Sequence, residues 1–526
     1  MTLSSLLLAV AIVAHEPGYM TSMAHHLQRW LKDERVVSRV VTPQTMAAAF
    51  AQERLAFLVG FAKPTSAELQ ALQNFRARGG KLVVFHSGSA ELGALMGVKP
   101  LGYRAAAYPG QFSRMNFVQG SPNGTPSVIG QTSGAISRAT PIAGRGRVIA
   151  TWSDRSGKAT GEAAWIASGA GWWMTHVLLP DGDEALKAQL LGAIVGSVDP
   201  KAWSLAAHNA RANATASAIR AYAAKQVARP GEIHAVWDHA GTGLYPGNWP
   251  RTMQVLRAAR VTDLFVNVAG AGFAHYASNV LPQSRTFAQE GDQLAACLAA
   301  AKGQGIRVHA WILCFSATRG SPAQLEAFRK RGWRLKTSAG KLTEYLDPSN
   351  PTVRAYVLAA IAEIQARYGA NGIHLDFVRW GDSALKPKNA AAHVTQFLVE
   401  ARSRVKRPRW LTAAVYGRHP NCVRSVGQDW PTWVDRGLVD YVVPMDYTEN
   451  SAEFVGLLAQ QAAAKSRAAR TIVGIGVTAN ESRLDARQVI DQINLTRRYG
   501  FAGNALFDLD TTLERQILPY LRLGIW

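Results

Sequence analysis

The stretch "NGIHLDFVRW" (371–380) ends an apolar, strand-forming run on a carboxylate, Asp376, with Arg379 and Trp380 close behind. A buried strand that finishes on a charge needs a place where that charge is used or neutralised. The residues before it read as a helix. Asn350 can cap it, Pro351 suits the first turn, and Val353, Val357, Ile361 and Ile364 make one apolar stripe. Helix, Gly-containing stop, strand and polar loop make up one unit of an alternating α/β fold.

The unit repeats. From residue 231 onward eight strand candidates alternate with helical segments: "IHAVW" (233–237), "DLFVNV" (263–268), "IRVHAWIL" (306–313), "GIHLDF" (372–377), "WLTAAVY" (410–416), "VDYVVPMDY" (439–447), "TIVGIGV" (471–477) and "GNALFDL" (503–509). Eight such units match a (β/α)8 TIM barrel, for which roughly 250 residues are typical. Chemistry in that fold gathers where strands end, which is where Asp376 falls.

The first 200 residues also alternate strands and helices. "LAVAIVA" (8–14), "LAFLVGF" (55–61), "KLVVFHSGS" (81–89), "RVIATWS" (147–153) and "THVLLP" (175–180) read as buried strands. They predict a doubly wound parallel sheet covered on both faces. The Ala-rich segment 201–230 reads as a bridging helix that ends at Pro230-Gly231. The expected organisation is an α/β domain over 1–200, a helical linker over 201–230 and the barrel over 231–526.

Composition narrows the partners. Of 526 residues 48% are hydrophobic and 18% charged, an ordinary globular balance. Lysine plus arginine (58) against aspartate plus glutamate (36) leaves +22 at pH 7, which favours anionic polymers. No run of five basic residues, zinc-finger spacing or RNA-binding aromatic motif occurs, so nucleic acid is not expected. Cys297, Cys314 and Cys422 are too few for a disulfide framework, and neither metal nor organic cofactor is implied. The segment "LSSLLLAVAIVA" (3–14) has the apolar core of a signal sequence and equally the character of a first strand. It is too short to span a bilayer, so no integral membrane segment is expected, and a secreted or envelope location is.

Two resemblances add to this. "PTSAELQALQNFRARGGKLVVFHSGS" (64–89) resembles class I glutamine amidotransferase-like domains. The nucleophilic cysteine of the catalytic members would fall in the turn His86-Ser87-Gly88-Ser89, where there is none, so amidotransferase activity is excluded. "HSGSA" is not GxSxG either, which leaves Ser87 and Ser89 without a hydrolase motif and the domain as an accessory module.

The barrel resembles glycosyl-hydrolase-like family 10 through "EIHAVWDH" (232–239), "NVAGAGFAHYAS" (267–278), "RVHAWI" (307–312), the segment 346–380, "QDWPTWVDRGLVDYVVPMDYT" (428–448) and "VGIGV" (473–477). The resemblance implies glycoside cleavage of a polysaccharide, with peptidoglycan glycan among the candidates. The fourth strand also resembles the "GFRLD" motif of the alpha-amylase clan, which implies Asp376 as nucleophile. Arg379 is placed to hold it ionised by lowering its pKa.

A second carboxylate must supply a proton. The glutamate that the amylase clan carries on strand five is missing from "WLTAAVYGR". Asp446 is the first choice for the acid, Asp508 the second and Asp238 the third, each at or just after a strand end. His374 shares a strand face with Asp376 and either orients it or is a satisfied core histidine. Asn267, His275 and His309, with Trp237, Trp311, Trp380, Tyr416 and Tyr447 near strand ends, complete the candidate substrate contacts. Trp249, Trp430 and Trp433 fall in loops, and Glu232, beginning its strand, belongs at the opposite rim. The rival expectation is a carbohydrate-binding pseudoenzyme that lacks the proton donor. A deacetylase or lyase is a third, although no His/Asp metal cluster supports the deacetylase.

Overall fold

A computed structural model describes residues 9–15, 18–108 and 110–526, so residues 3–8 of the signal-like segment lie outside the described residues. The chain forms two compact units that part between Ala216 and Ser217, within the helix Leu205–Ala223.

In the first unit, strands Ser38–Val41, Val10–Ala14, Leu55–Val59, Lys81–Phe85 and Gly171–Met174 run parallel, side by side in that order. Their side chains alternate between two cores: Val10 and Ile12 join one, Ala11 and Val13 the other. Burial on both faces explains the continuous apolar runs. Beyond this parallel half the sheet continues with antiparallel strands Ala159–Ser168, Gly146–Ser153, Phe112–Phe117 and Val128–Ser133, so it is mixed. "THVLLP" is not a strand. The Gln131 amide takes the place of a ladder partner, donating to the Val177 carbonyl at 2.8 Å and accepting from the Leu179 N–H at 2.9 Å. Ser87 and Ser89 have structural partners: Ser87 Oγ donates to the Phe61 carbonyl at 2.5 Å, and Ser89 caps the helix Ala90–Met96.

The second unit is the barrel. Its strands are β1 (Ile233–Asp238), β2 (Asp263–Gly270), β3 (Arg307–Leu313), β4 (Gly372–Asp376), β5 (Trp410–Val415), β6 (Tyr441–Pro444), β7 (Ile472–Gly476) and β8 (Gly503–Phe507). Neighbours pair in parallel from β6 back through β1 to β8 and β7, and bridges Val442–Thr471 and Met445–Gly474 bring β6 to β7. Alternation sorts the side chains. Ile233, Ala235, Trp237, Phe265, Trp311, Val443 and Ala505 fill the interior. Val236, Leu264, Ile373, Leu375, Val442 and Leu506 face the helices. Each buried aliphatic side chain of this kind contributes roughly 1.5–3 kcal/mol of transfer free energy. The helix Pro351–Arg367 buries Val353, Val357, Ile361 and Ile364, and Asn350 caps it by accepting from the Thr352 N–H at 2.9 Å.

The rim where strands begin carries ion pairs. Asp263 takes a two-pronged bond from Arg307 (2.8 and 2.7 Å) and a third from His309 Nε2 at 2.8 Å. Burial opposes its charge, but His309 and Arg307 prevail and hold the carboxyl at about 2. His309 therefore serves this pair, away from the strand ends. Glu232 is bound by Arg497 (2.9 Å) and His234 (3.1 Å) at the same rim.

Candidate active site

Where the strands end, a cleft of about 720 Å³ opens, bordered by Trp237, His239, Trp311, Arg319, Asp376, Arg379, Tyr416, Arg418, Tyr447 and Glu481 among others. Asp376 closes β4 with its side chain on the inward parity shared with His374. Its Oδ2 accepts from Trp311 Nε1 at 3.2 Å and its Oδ1 from the Phe377 N–H at 2.6 Å. Arg379 Nη1 stands 3.7 Å from Oδ1. Burial lifts the Asp376 carboxyl above the ordinary carboxylate range, against the pull of Arg379 and both hydrogen bonds. The expectation that Arg379 would hold it below that range is thereby corrected: desolvation is the larger effect.

Phe377 sits at φ 47°, a left-handed conformation that is unusual for a bulky residue. That turn costs about 1–2 kcal/mol. It places the Phe377 N–H against Asp376 and its ring under the Arg379 guanidinium, 3.9 Å away, while Tyr416 stacks on the guanidinium at 4.7 Å. Arg379 also reaches Asp382 at 3.4 Å.

The other proposed acids lie elsewhere. Asp446 follows the inward Met445 and precedes the inward Tyr447, so parity turns it outward. Both its oxygens accept from Gln461 Nε2 at 2.9 Å, and burial pushes it up to about 7. It does not border the cleft. Asp238 is likewise one residue past the inward Trp237. Its oxygens accept from the Gly241 and Gly243 N–H groups at 3.0 and 2.8 Å, which shapes the loop after β1, and burial pushes it up to about 6.

Asp508, just past β8, keeps 21% side-chain exposure and lies 4.0 Å from His239 Nδ1. It is held well above the ordinary range by burial and by the charges of Asp510 and Asp238. Tyr447 borders the cleft, and burial, with the charges of nearby acids, raises its phenol.

His374 is a satisfied core histidine. Trp237 Nε1 donates to its Nε2 at 2.9 Å, its Nδ1 bonds Thr412 Oγ1 at 2.8 Å, and its ring stacks on Phe265. Burial drives its pKa well below the usual value, so the ring is neutral. Asn267 and His275 support rather than border the cleft. Asn267 donates to the His239 carbonyl at 3.2 Å, and His275 Nδ1 bonds Ser284 Oγ at 2.6 Å. Trp380 is buried, with its N–H on the Leu385 carbonyl, and Trp249, Trp430 and Trp433 are core. Of the named aromatics, Trp237, Trp311, Tyr416 and Tyr447 border the cleft.

Sequence reasoning passed over His239, Arg319, Arg418, Glu453 and Glu481, all in the lining. His239 follows the quoted "VWD"; Arg319, Arg418 and Glu481 lie in loops after β3, β5 and β7, and Glu453 in the first turn of the helix Ser451–Gln461 after β6. Among the described residues, no group of three or more His, Cys, Asp or Glu could hold a metal ion. No helix there is long and apolar enough to cross a membrane.

Residues 248–490 match the protein family described as "Putative glycosyl hydrolase domain". Among solved structures the chain is similar to the PgaB (BpsB) glycoside hydrolase domain from Bordetella bronchiseptica, at 14% identity and TM-score 0.45, covering 56% of this chain and 100% of that one. It is also similar to an endo-1,4-beta-mannanase from Rhizomucor miehei (11%, 0.40, 53% and 87%). A third is a class V chitininase from Pseudomonas fluorescens Pf-5 (12%, 0.37, 56% and 99%). No curated protein matches the chain.

Proposed function

We propose that the barrel is a glycoside hydrolase acting on a polysaccharide at the cell envelope or outside the cell, with Asp376 at the anomeric centre. One observation carries this: of the four candidate acids at or just after strand ends, Asp376 is the one that borders the cleft, fixed there by Trp311, Phe377 and Arg379. A carboxylate so placed stabilises or captures an oxocarbenium-like centre. We assign the proton donor to Asp508, which lies 4.0 Å from the cleft residue His239 and is held well above the ordinary carboxylate range by burial and the charges of Asp510 and Asp238. As the glycosidic C–O bond breaks, its proton passes to the leaving oxygen. Water then adds hydroxide to the anomeric carbon and returns a proton to Asp508. Peptidoglycan glycan is one candidate polymer, and the first unit is an accessory module.

The test follows new reducing ends released from a panel of polysaccharides that includes peptidoglycan. Asp376→Asn should abolish release while leaving binding and folding intact; parental turnover in that variant would refute the assignment. Asp508→Asn should slow poor leaving groups by roughly 10²–10⁴ and largely spare activated aryl glycosides. If instead Glu481→Gln shows that pattern, the exposed Glu481 is the donor. The absence of a second strand-end acid from the cleft lining favours one other reading, a carbohydrate-binding protein. A parent that binds glycan and releases no ends would establish it.

A further inference from the structure

Three guanidinium groups border the cleft, and two of them have acid partners: Arg379 pairs with Asp376 and Asp382, Arg418 with Glu453. Arg319 has none. Among the described residues no carboxylate comes within ion-pair distance of it, and the acid whose charge it feels, Asp238, is committed to the Gly241 and Gly243 N–H groups. Arg319 is exposed on the loop after β3, beside Thr318 and Trp311.

Its orientation is fixed. Nη2 donates to His239 Nε2 at 3.0 Å, and the guanidinium lies over the Phe273 ring at 5.3 Å. An arginine only donates, so His239 Nε2 must be the acceptor and the ring proton sits on Nδ1. Burial, with the Arg319 charge, holds His239 down to about 4, so it remains a neutral acceptor at physiological pH. His275 is pushed to about 4 by the same two causes. The side of the cleft formed by the loops after β1 and β3 thus presents a positioned cation with its Nε and Nη1 edge free, held by a neutral histidine. A planar fork of this kind matches a carboxylate in two-pronged geometry. A neutral sugar hydroxyl needs no such charge.

We infer that Arg319, oriented by His239, selects a sugar unit bearing a carboxylate. This rests on the cleft being a glycan site, and it makes the substrate an acidic glycan. The carboxylate has two chemical sources: C6 of a hexuronate ring, or a lactyl ether on an amino sugar. The recognition group is the same for both.

Calorimetric titration of the full chain tests it with three tetrasaccharides: a hexuronate oligomer, an alternating N-acetylglucosamine–muramic acid oligomer, and neutral chitotetraose. At least one acidic oligomer should bind tenfold or more tighter than chitotetraose, and which one does so identifies the source. Arg319→Gln should bring the acidic-to-neutral affinity ratio to about one. Arg319→Lys should recover part of the preference, since charge returns without the fork. Equal affinity for acidic and neutral oligomers, or a preference that survives Arg319→Gln, overturns the assignment and leaves the glycan reading standing. If none of the three binds, both fall together.

Discussion

Arg379 lies between the rings of Phe377 and Tyr416 with Asp376 on its edge, 3.7 Å away, so its charge acts on a carboxylate with little water to screen it. Burial has already raised Asp376 above the ordinary range, and Arg379 is the largest influence opposing that rise. Removing the cation must raise it further, because the charged form loses support and the neutral form does not. The proposed mechanism needs the carboxylate, so the ascending limb of kcat/KM against pH should move to higher pH in Arg379→Met. Methionine keeps most of the packing stem. Turnover at pH 5 should fall several-fold, and Arg379→Lys should restore part of it. A limb that stays in place in Arg379→Met would show that the arginine serves only packing.

Parity within an element decides which strand-end residue can act, and it was partly legible in the sequence. Alternation correctly put His374 and Asp376 on one inward face. The same count applied to "YVVPMDY" turns Tyr441, Val443, Met445 and Tyr447 inward, with Asp446 the odd one out; in "IHAVWD" it turns Trp237 inward and Asp238 outward. Choosing Asp446 for ending an apolar run weighed position without face. What the sequence could not show was burial's effect on Asp376, or the loop residues His239, Arg319 and Glu481, which carry no period. Asp446 has a consequence for stability instead. Its folded pKa of about 7 lies above the ordinary 3.8, so the folded state holds a proton that the unfolded state has lost between those values. Stability therefore falls as pH rises from about 4 to 7, and above that the full cost remains, on the order of 4 kcal/mol at most. Asp446→Asn should exceed the parent in urea unfolding by clearly more at pH 8 than at pH 5. Equal midpoints at both pH values would mean that the Gln461 amide and local water already compensate the charge.

At the scale of the whole molecule, the eight βα units were readable because each announces itself with a helical segment, a short apolar strand and a loop. Of the antiparallel half of the first unit only "RVIATWS", the strand Gly146–Ser153, was, since its partners carry no continuous apolar run. The cores follow the same division. The two clusters built from residues 10–205 contain no barrel residue, and those of the barrel contain none from before Ile219. Every residue bordering the cleft lies between Trp237 and Phe507. A fragment that keeps the helix Leu205–Ala223 and begins at Pro200 retains the whole barrel core, including the Tyr222–Asp491 bond at 2.5 Å. It should fold cooperatively and cleave a soluble oligosaccharide with kcat and KM within about twofold of the full chain, because no group that stabilises the transition state has been removed. A fragment that unfolds cooperatively yet loses more than tenfold in kcat on the soluble substrate would assign the first unit a part in the chemistry itself.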